Sequence, residues 1–288
     1  IDERGILLDD IRMRRFLLAP LDTRVADLMG ERFVSLKAAD DQESAVALFR
    51  QTDLTALPVT DSDGVLIGIV TVDDVLDVAE IEATEDIQKI GGSEALDEPY
   101  LAIAFSSMVR KRAGWLVILF LSEMLTATAM SFFEDKIAKA VVLALFVPMI
   151  ISSGGNTGSQ ASSLICRALA VGDVTTKEWW RIVKRETSVG LTLGLLLGIV
   201  GFGRVAIYSQ FTDIYGPHWI MIGVAIGLSL MGVVIWGNLI GSSFPMVLKR
   251  LGMDPAVSSA PFVATVVDIT GLVIYFTIAS FLLAGSLL

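Results

Sequence analysis

The residue best placed for chemistry is Asp268, an acid inside the apolar run Val266-Val267-Asp268-Ile269-Thr270-Gly271-Leu272-Val273-Ile274-Tyr275. The run follows Asp254-Pro255, which reads as an N-cap and first helical position, and Pro261 is expected to kink the helix a turn or two later. Some twelve residues of helix put Asp268 about 18–20 Å from that start, near the middle of a bilayer. A carboxylate at that depth costs about 2.5–3.5 kcal/mol on insertion scales, so it is expected to face a polar interior and to have a function. Ala264, Gly271 and Tyr275 are expected on the same face, small beside the acid. The structural alternative is a carboxyl paired with Arg204 or hydrogen-bonded to a neighbouring helix.

A second group follows Pro148: the polar, Gly-rich run from Ile151 to Ser163. Asn156, Ser159, Gln160 and Ser163 recur there at helical spacings, within a stretch apolar enough to lie at membrane depth. The run is expected to interrupt regular helix, and irregular backbone at such depth must pack against protein or line a wet cavity. Close helix packing through small residues is the plain alternative, but the density of amides and hydroxyls favours a polar pathway. Glu123, flanked by Ser122, Thr126 and Thr128, fits a path-lining acid and a packing residue equally well. Oxygen ligands alone, with a single Cys166 and a single His218, exclude soft metals and favour a hard cation. Mg²⁺ gives up water reluctantly, so such a path would contact the hydrated ion. One Asp per chain is sparse for a divalent ion, whereas two copies about a dimer axis would supply −2.

The third group is acidic and lies outside the apolar half. From Thr71 to Glu98 the chain carries Asp73, Asp74, Asp77, Glu80, Glu82, Glu85, Asp86, Glu94, Asp97 and Glu98 against the single base Lys89. Thr71 and Asp74 have capping-box spacing, and a solvated helix face explains part of the run. Like charges at helical spacing repel, however, and divalent cations would relieve that repulsion, so the helix reads as a cation sensor wired to the first span.

The elements that must position these groups follow from composition. The 288 residues are 53% hydrophobic and 19% charged, with a net charge of −10. Residues 1–100 hold 23 acids against 9 bases (net −14), which leaves +4 for the rest. An acidic soluble module precedes an apolar membrane module, and such acidity excludes a nucleic-acid partner. Five apolar stretches, near 113–133, 137–170, 187–209, 218–248 and 256–284, each reach the roughly 20 residues of a membrane span. Basic residues collect before the first (Arg110, Lys111, Arg112), between the second and third (Arg167 to Arg185) and between the fourth and fifth (Lys249, Arg250). That pattern puts the N-terminus in the cytoplasm and Leu288 outside. Trp115 and Trp219 sit where an aromatic belt belongs, with Trp179-Trp180 at the inner interface.

Residues 33–78 alternate strand and helix, with a turn at Asp61-Ser62-Asp63-Gly64. The segment Asp2-Glu3-Arg4-Gly5-Ile6-Leu7-Leu8 repeats that hairpin, implying a duplicated unit whose first copy is mostly absent. The chain opens on Ile1 without an initiator Met and reads as part of something longer.

The runs Gly154-Gly155-Asn156-Thr157-Gly158-Ser159-Gln160 and Arg167-Ala168-Leu169-Ala170-Val171-Gly172-Asp173, with Asp254-Pro255-Ala256 and Asp268 to Phe276, resemble the signature of the MgtE family of magnesium channels. The resemblance implies a mainly α membrane protein with five transmembrane helices per subunit, preceded by an α/β CBS domain and an acidic connecting (plug) helix. It divides the chain into the tail of a first CBS domain (1–20), a second CBS domain (21–75), the plug helix and linker (76–108) and the pore domain (109–288). It further implies a homodimer in the bacterial cytoplasmic (inner) membrane, a pore lined by the second and fifth spans, and closure when cytosolic Mg²⁺ is high. Asp268 matches the family's pore carboxylate, and Gly155, Asn156, Gly158, Ser159, Ser163, Ala264 and Gly271 are the further residues expected along the pathway. Asp41, Glu43, Asp53, Asp74, Asp77, Glu82, Glu85 and Asp86 match acids of regulatory magnesium sites. Ser159 and Ala260 stand where relatives carry Asn, which touches pore polarity at the cytoplasmic end. CBS pairs in related proteins bind adenine nucleotide, and the resemblance leaves that open here.

The leading expectation is thus a magnesium channel that passes Mg²⁺ into the cytoplasm. A channel or carrier for Mn²⁺ or Co²⁺, and a membrane-anchored CBS sensor without transport, remain as alternatives. An enzyme is disfavoured, since the sequence offers no nucleophile–base pair.

Overall fold

The computed structural model describes residues 1–30 and 33–284, so Leu288, whose outward placement was expected, lies outside the described residues. The chain forms two compact units, Ile1–Thr84 and Glu85–Leu288.

The first unit contains helices α1 (Met13–Leu18), α2 (Val25–Leu28) and α3 (Gln42–Thr52), strands β1 (Leu36–Lys37), β2 (Ala56–Thr60) and β3 (Leu66–Thr71), and most of α4 (Val72–Ile90). The sheet order is β1-β2-β3, with β1 parallel and β3 antiparallel to β2. Leu36, Phe49, Leu57 and Val75 form its buried core. Asp41 caps α3 by accepting from the Glu43 N–H at 3.3 Å, and Asp53 ends the helix in the left-handed conformation at φ 51°.

The expected hairpin repeat is realised bond by bond. The Asp61 carboxylate accepts from the N–H groups of Asp63 (3.0 Å) and Val65 (2.8 Å), and Asp2 accepts from those of Arg4 and Ile6, both at 2.8 Å. Gly64 and Gly5 both sit at φ 82°, where a side chain would strain the turn. The two turns then pair reciprocally, Leu7 N–H with Gly64 C=O and Leu66 N–H with Gly5 C=O.

The second unit is helical: α5 (Phe105–Phe132), α6 (Glu134–Lys139), α7 (Val141–Ala144), α8 (Val147–Ala170), α9 (Trp179–Tyr208), α10 (Trp219–Arg250) and α11 (Ala260–Leu283). Five stretches are long and apolar enough to cross a membrane, as expected: Phe105–Phe132, Val141–Ala170, Thr176–Tyr208, Gly216–Arg250 and Ala260–Leu283. Half of the α10 window is buried against only 6% for α5, so α10 is central and α5 peripheral.

Glycine sets the spacing around α10. A Cβ on Gly237 or Gly241 would collide with the carbonyl oxygens of Gly154 and Gly158 on α8, and one on Gly198 of α9 would lie 2.7 Å from Gly227 O. Small residues thus let backbone meet backbone, the packing that apolar surroundings favour when no hydrophobic driving force separates helix from lipid.

Two sequence expectations are corrected. The polar run from Ile151 to Ser163 is regular helix throughout; the break lies earlier, at Ala140 (φ −130°, ψ 68°) and around Phe146, and Pro148 occupies the first turn of α8. Nor does Pro261 kink the last helix. Pro255–Val257 form a separate 3₁₀ turn capped by Asp254, and α11 starts anew with Ser259 as N-cap and Pro261 in its first turn, where the missing N–H has no cost. Asp268 is therefore eight residues past Ala260, about 12 Å along α11 rather than 18–20 Å.

Candidate functional site

Besides the break between Ala140 and Phe146, backbone is irregular in the Asp254–Ala260 connection, and α8 answers its exposed carbonyls. Ser159 Oγ donates to Ala260 O at 2.9 Å, Ser162 Oγ to Ser258 O at 2.9 Å, and Cys166 Sγ to Pro255 O at 3.3 Å. Side chains three or four residues apart on one helix face thus satisfy the backbone groups that the 3₁₀ turn leaves open. The two positions set apart in the sequence for lacking Asn, Ser159 and Ala260, prove to be bonded to each other.

One turn further along the same seam, Gly155 faces the acid. A Cβ on Gly155 would lie 3.2 Å from Asp268 Oδ1 and 3.4 Å from Ala264 Cβ. Asp268 is half-buried, and among the described residues no donor or base is hydrogen-bonded or ion-paired to it. Arg204, the expected alternative partner, instead stacks over Phe146 (5.7 Å) and Tyr208 (5.2 Å). The charge within electrostatic reach of Asp268 is another acid, Glu123, exposed on α5. Asn156 is exposed and donates to Ser152 Oγ at 3.3 Å, and Ser163 is half-buried.

Some expected members of the face lie elsewhere. Gly158 backs onto α10, where a Cβ would lie 3.0 Å from Gly237 O. Gly271 packs under Val233 of α10 rather than beside the acid, and Tyr275 is fully buried with its hydroxyl on Leu143 O at 2.8 Å. The structure therefore joins Gly155, Ala264 and Asp268 with Ser159 one turn away, and turns Gly158 and Gly271 into helix contacts.

The acids of the first unit are mostly engaged with their own surroundings. Besides Asp41 and Asp53 at the ends of α3, Asp74 accepts from Thr71 Oγ1 at 2.9 Å and Glu82 accepts from Gln42. Glu43 and Asp77 are exposed. In the second unit Glu85 pairs with Lys89, whose ammonium also meets Asp254 Oδ2 at 2.7 Å, and Asp86 is half-buried. Burial alone would lower the Lys89 pKa, but its hydrogen bonds to Asp254 and Glu85 outweigh that and hold it above its ordinary value. Among the described residues no three His, Cys, Asp or Glu side chains converge into a metal cluster.

Sequence reasoning missed three groups. Trp115, read as an aromatic-belt residue, is half-buried and donates from Nε1 to Ser259 Oγ at 2.9 Å. Trp236 donates to Thr270 Oγ1 at 2.8 Å, two residues from Asp268. Lys89 is tied to Asp254, 165 positions away. Ser-Ser before Ala-Pro was a legible N-cap signal for α11, but nothing local to Trp115, Trp236 or Lys89 names the partner.

Five apolar helices behind a small α/β unit define a multi-pass helical membrane protein. A family model described as MgtE, divalent cation transporter, matches residues 147–278, and a CBS domain model matches residues 25–80. Three magnesium transporters named MgtE are similar over nearly the whole chain. That of Thermus thermophilus is 41% identical over 283 residues, 98% of this chain and 61% of the relative. Those of Enterococcus faecalis (35% identical) and Bacillus subtilis (33%) each match 97% of this chain, which spans 59% and 60% of their respective lengths. The chain thus carries an MgtE-type divalent cation transporter domain and a CBS domain, and it spans about 60% of the length of the magnesium transporters it matches.

Proposed function

We propose that this chain is the CBS and membrane part of a homodimeric magnesium channel, passing hydrated Mg²⁺ into the cytoplasm and closing when cytosolic Mg²⁺ binds its acidic residues. The observation that carries the reading is Asp268: a half-buried carboxylate at the seam of α8 and α11, beside Gly155 and Ala264, with no hydrogen-bond donor or base bonded to it among the described residues. Burying such a group unpaired is unfavourable, so it is kept for a cation that comes and goes. Hydroxyls and amides on the same side of α8 suit the water shell of a hard ion. Three relatives named as magnesium transporters support the choice of ion.

In this reading residues 1–20 end a first CBS domain, 21–75 form a second, 76–108 are the connecting helix and linker, and 109–288 build the pore. The basic loops put the N-terminus in the cytoplasm and the C-terminus outside, in the inner membrane of a bacterium. Asp41, Glu43, Asp53, Asp74, Asp77, Glu82, Glu85 and Asp86 are the sensing acids. A cleft of about 650 Å³ lined by Arg12, Arg14, Arg15 and Phe33, with Asp9 and Asp10 also on its wall, is the place in the first unit where an adenine nucleotide would bind. The broader description of the family model, divalent cation transporter, favours a second reading in which Mn²⁺ or Co²⁺ is carried as well.

The test is ion flux through the full-length protein in vesicles, wild type against Asp268→Ala, with Mn²⁺ and Co²⁺ as competitors. Unchanged Mg²⁺ flux in the variant removes Asp268 from the pathway. No flux in folded wild type favours a sensor without transport.

A further inference from the structure

Lys89 is the single base among the ten acids between Thr71 and Glu98. It is not spent on its own helix alone: besides Glu85, its ammonium holds Asp254 Oδ2 at 2.7 Å, at the entrance to the last span. Asp254 divides its two oxygens, since Oδ1 accepts from the Ala256 N–H at 2.8 Å and so caps the 3₁₀ turn. Five residues on, Ser259 Oγ caps α11 by accepting from the Phe262 N–H at 3.3 Å and also accepts from Trp115 Nε1 at 2.9 Å. Gly92, in the left-handed region at φ 78°, seals the joint: a Cβ there would lie 3.1 Å from both Pro261 Cγ and Trp115 Cδ1.

This connection is also the segment whose carbonyls at Pro255, Ser258 and Ala260 are held by Cys166, Ser162 and Ser159. A displacement of Asp254 or Ser259 must therefore disturb the α8 seam one turn from Gly155, and α11 carries Asp268 two turns beyond. Lys89 and Trp115 come from α4 and α5, so both grip α11 at its irregular start and nowhere near the acid itself.

We propose that the Lys89–Asp254 and Trp115–Ser259 contacts form a latch through which α4 and α5 fix the first turn of α11 against α8 and thereby set the position of Asp268. Lys89 is a positioning residue in this scheme. It touches no transported ion; it converts the state of the acidic helix into the placement of the helix that bears the carboxylate. The proposal rests on the reading of Asp268 as the pathway acid and of the acidic helix as the sensor, and names the link between them.

The experiment uses the full-length protein with Lys89→Met, which keeps the stem and removes the charge, Lys89→Arg, which keeps the pair, and Trp115→Phe, which removes the second tie. Vesicle flux gives the cytosolic-side Mg²⁺ that halves transport. Hydrogen exchange in detergent, with and without Mg²⁺, follows residues 85–97 and 254–262 and requires no transport. Losing a partly buried charged contact should shift the half-inhibiting concentration about fivefold upward in Lys89→Met. Exchange at 254–262 should quicken in the same variant and lose its response to Mg²⁺ while 85–97 keeps its own. Lys89→Arg should restore both readouts, and Trp115→Phe should move them in the same direction by less. An unshifted inhibition curve, or unchanged exchange at 254–262, in Lys89→Met overturns the latch. If wild type carries no flux, the transport reading fails on its own account and the exchange data alone decide whether the latch exists.

Discussion

The acids of the first unit and the acid of the last helix differ in what surrounds them. Asp2 and Asp61 each close a turn, Asp41 caps α3, Asp74 takes the Thr71 hydroxyl and Glu82 takes Gln42. Each has a local task that a solvated carboxylate performs at low cost. Among the described residues Asp268 has no such bond: Gly155 faces it across the seam and Ala264 lies one turn before it on α11, and neither offers it a side-chain donor. Abundance of acids and freedom from local bonding therefore run in opposite directions in this chain. The acid-rich unit spends many carboxylates on its own backbone, and the acid-poor helix keeps one in reserve.

The contrast breaks first at Asp268. Asp268→Asn keeps the shape and removes the charge, and a carboxylate worth the 2.5–3.5 kcal/mol that its insertion costs implies a fall in flux of about 100-fold. A loss below threefold would put Asp268 on the same footing as the acids of the first unit. Next come the glycines, which separate site from scaffold between the α8–α11 and α8–α10 contacts. Gly241→Val drives a branched side chain into Gly158 O and should lower unfolding stability in detergent by about 1–3 kcal/mol. Gly155→Ala meets Asp268 Oδ1 at 3.2 Å with less backbone conflict, so it should depress flux several-fold while the melting temperature barely moves. If both variants lose stability alike, Gly155 belongs to the packing and not to the site.

The acids proposed to sense Mg²⁺ supply the next arm. Neutralising Glu82, Glu85 and Asp86 together should raise the Mg²⁺ needed for half-inhibition about tenfold, because a divalent site is tuned by its carboxylate count. An unmoved inhibition curve would leave those acids with structural tasks only, erasing the proposed distinction within the acidic helix.

The five spans were legible because apolar length is a property of sequence alone, and the hairpin repeat because Asp-x-x-Gly fixes its own hydrogen bonds. Asp268 stood out as a lone acid in a span. What escaped was anything decided across helices. The Gly-rich run looked like broken backbone, yet its glycines serve the approach of α10 while the helix stays intact. Pro261 looked like a kink because the 3₁₀ turn before it depends on α8 hydroxyls some hundred residues earlier. Trp115 looked like a belt residue because Ser259, its partner, is 144 positions away.

The smallest expected effect tests the comparison most finely, at Asp41, where one carboxylate is offered two jobs. Asn caps a helix about as well as Asp, whereas Ala does not cap at all. Asp41→Ala should therefore cost the first unit about 1 kcal/mol, read as a lower unfolding midpoint, and Asp41→Asn almost nothing. Mg²⁺ inhibition gives the independent coordinate. If Asp41→Asn leaves both stability and inhibition at wild-type values, the capping bond to the Glu43 N–H accounts for the residue completely. If it leaves stability intact but weakens inhibition, the charge has a second use, and a cap and a cation ligand share one side chain. The latter outcome would mean that local hydrogen bonds hold a sensing acid in place without consuming its charge, since a carboxylate has lone pairs beyond the one a cap requires.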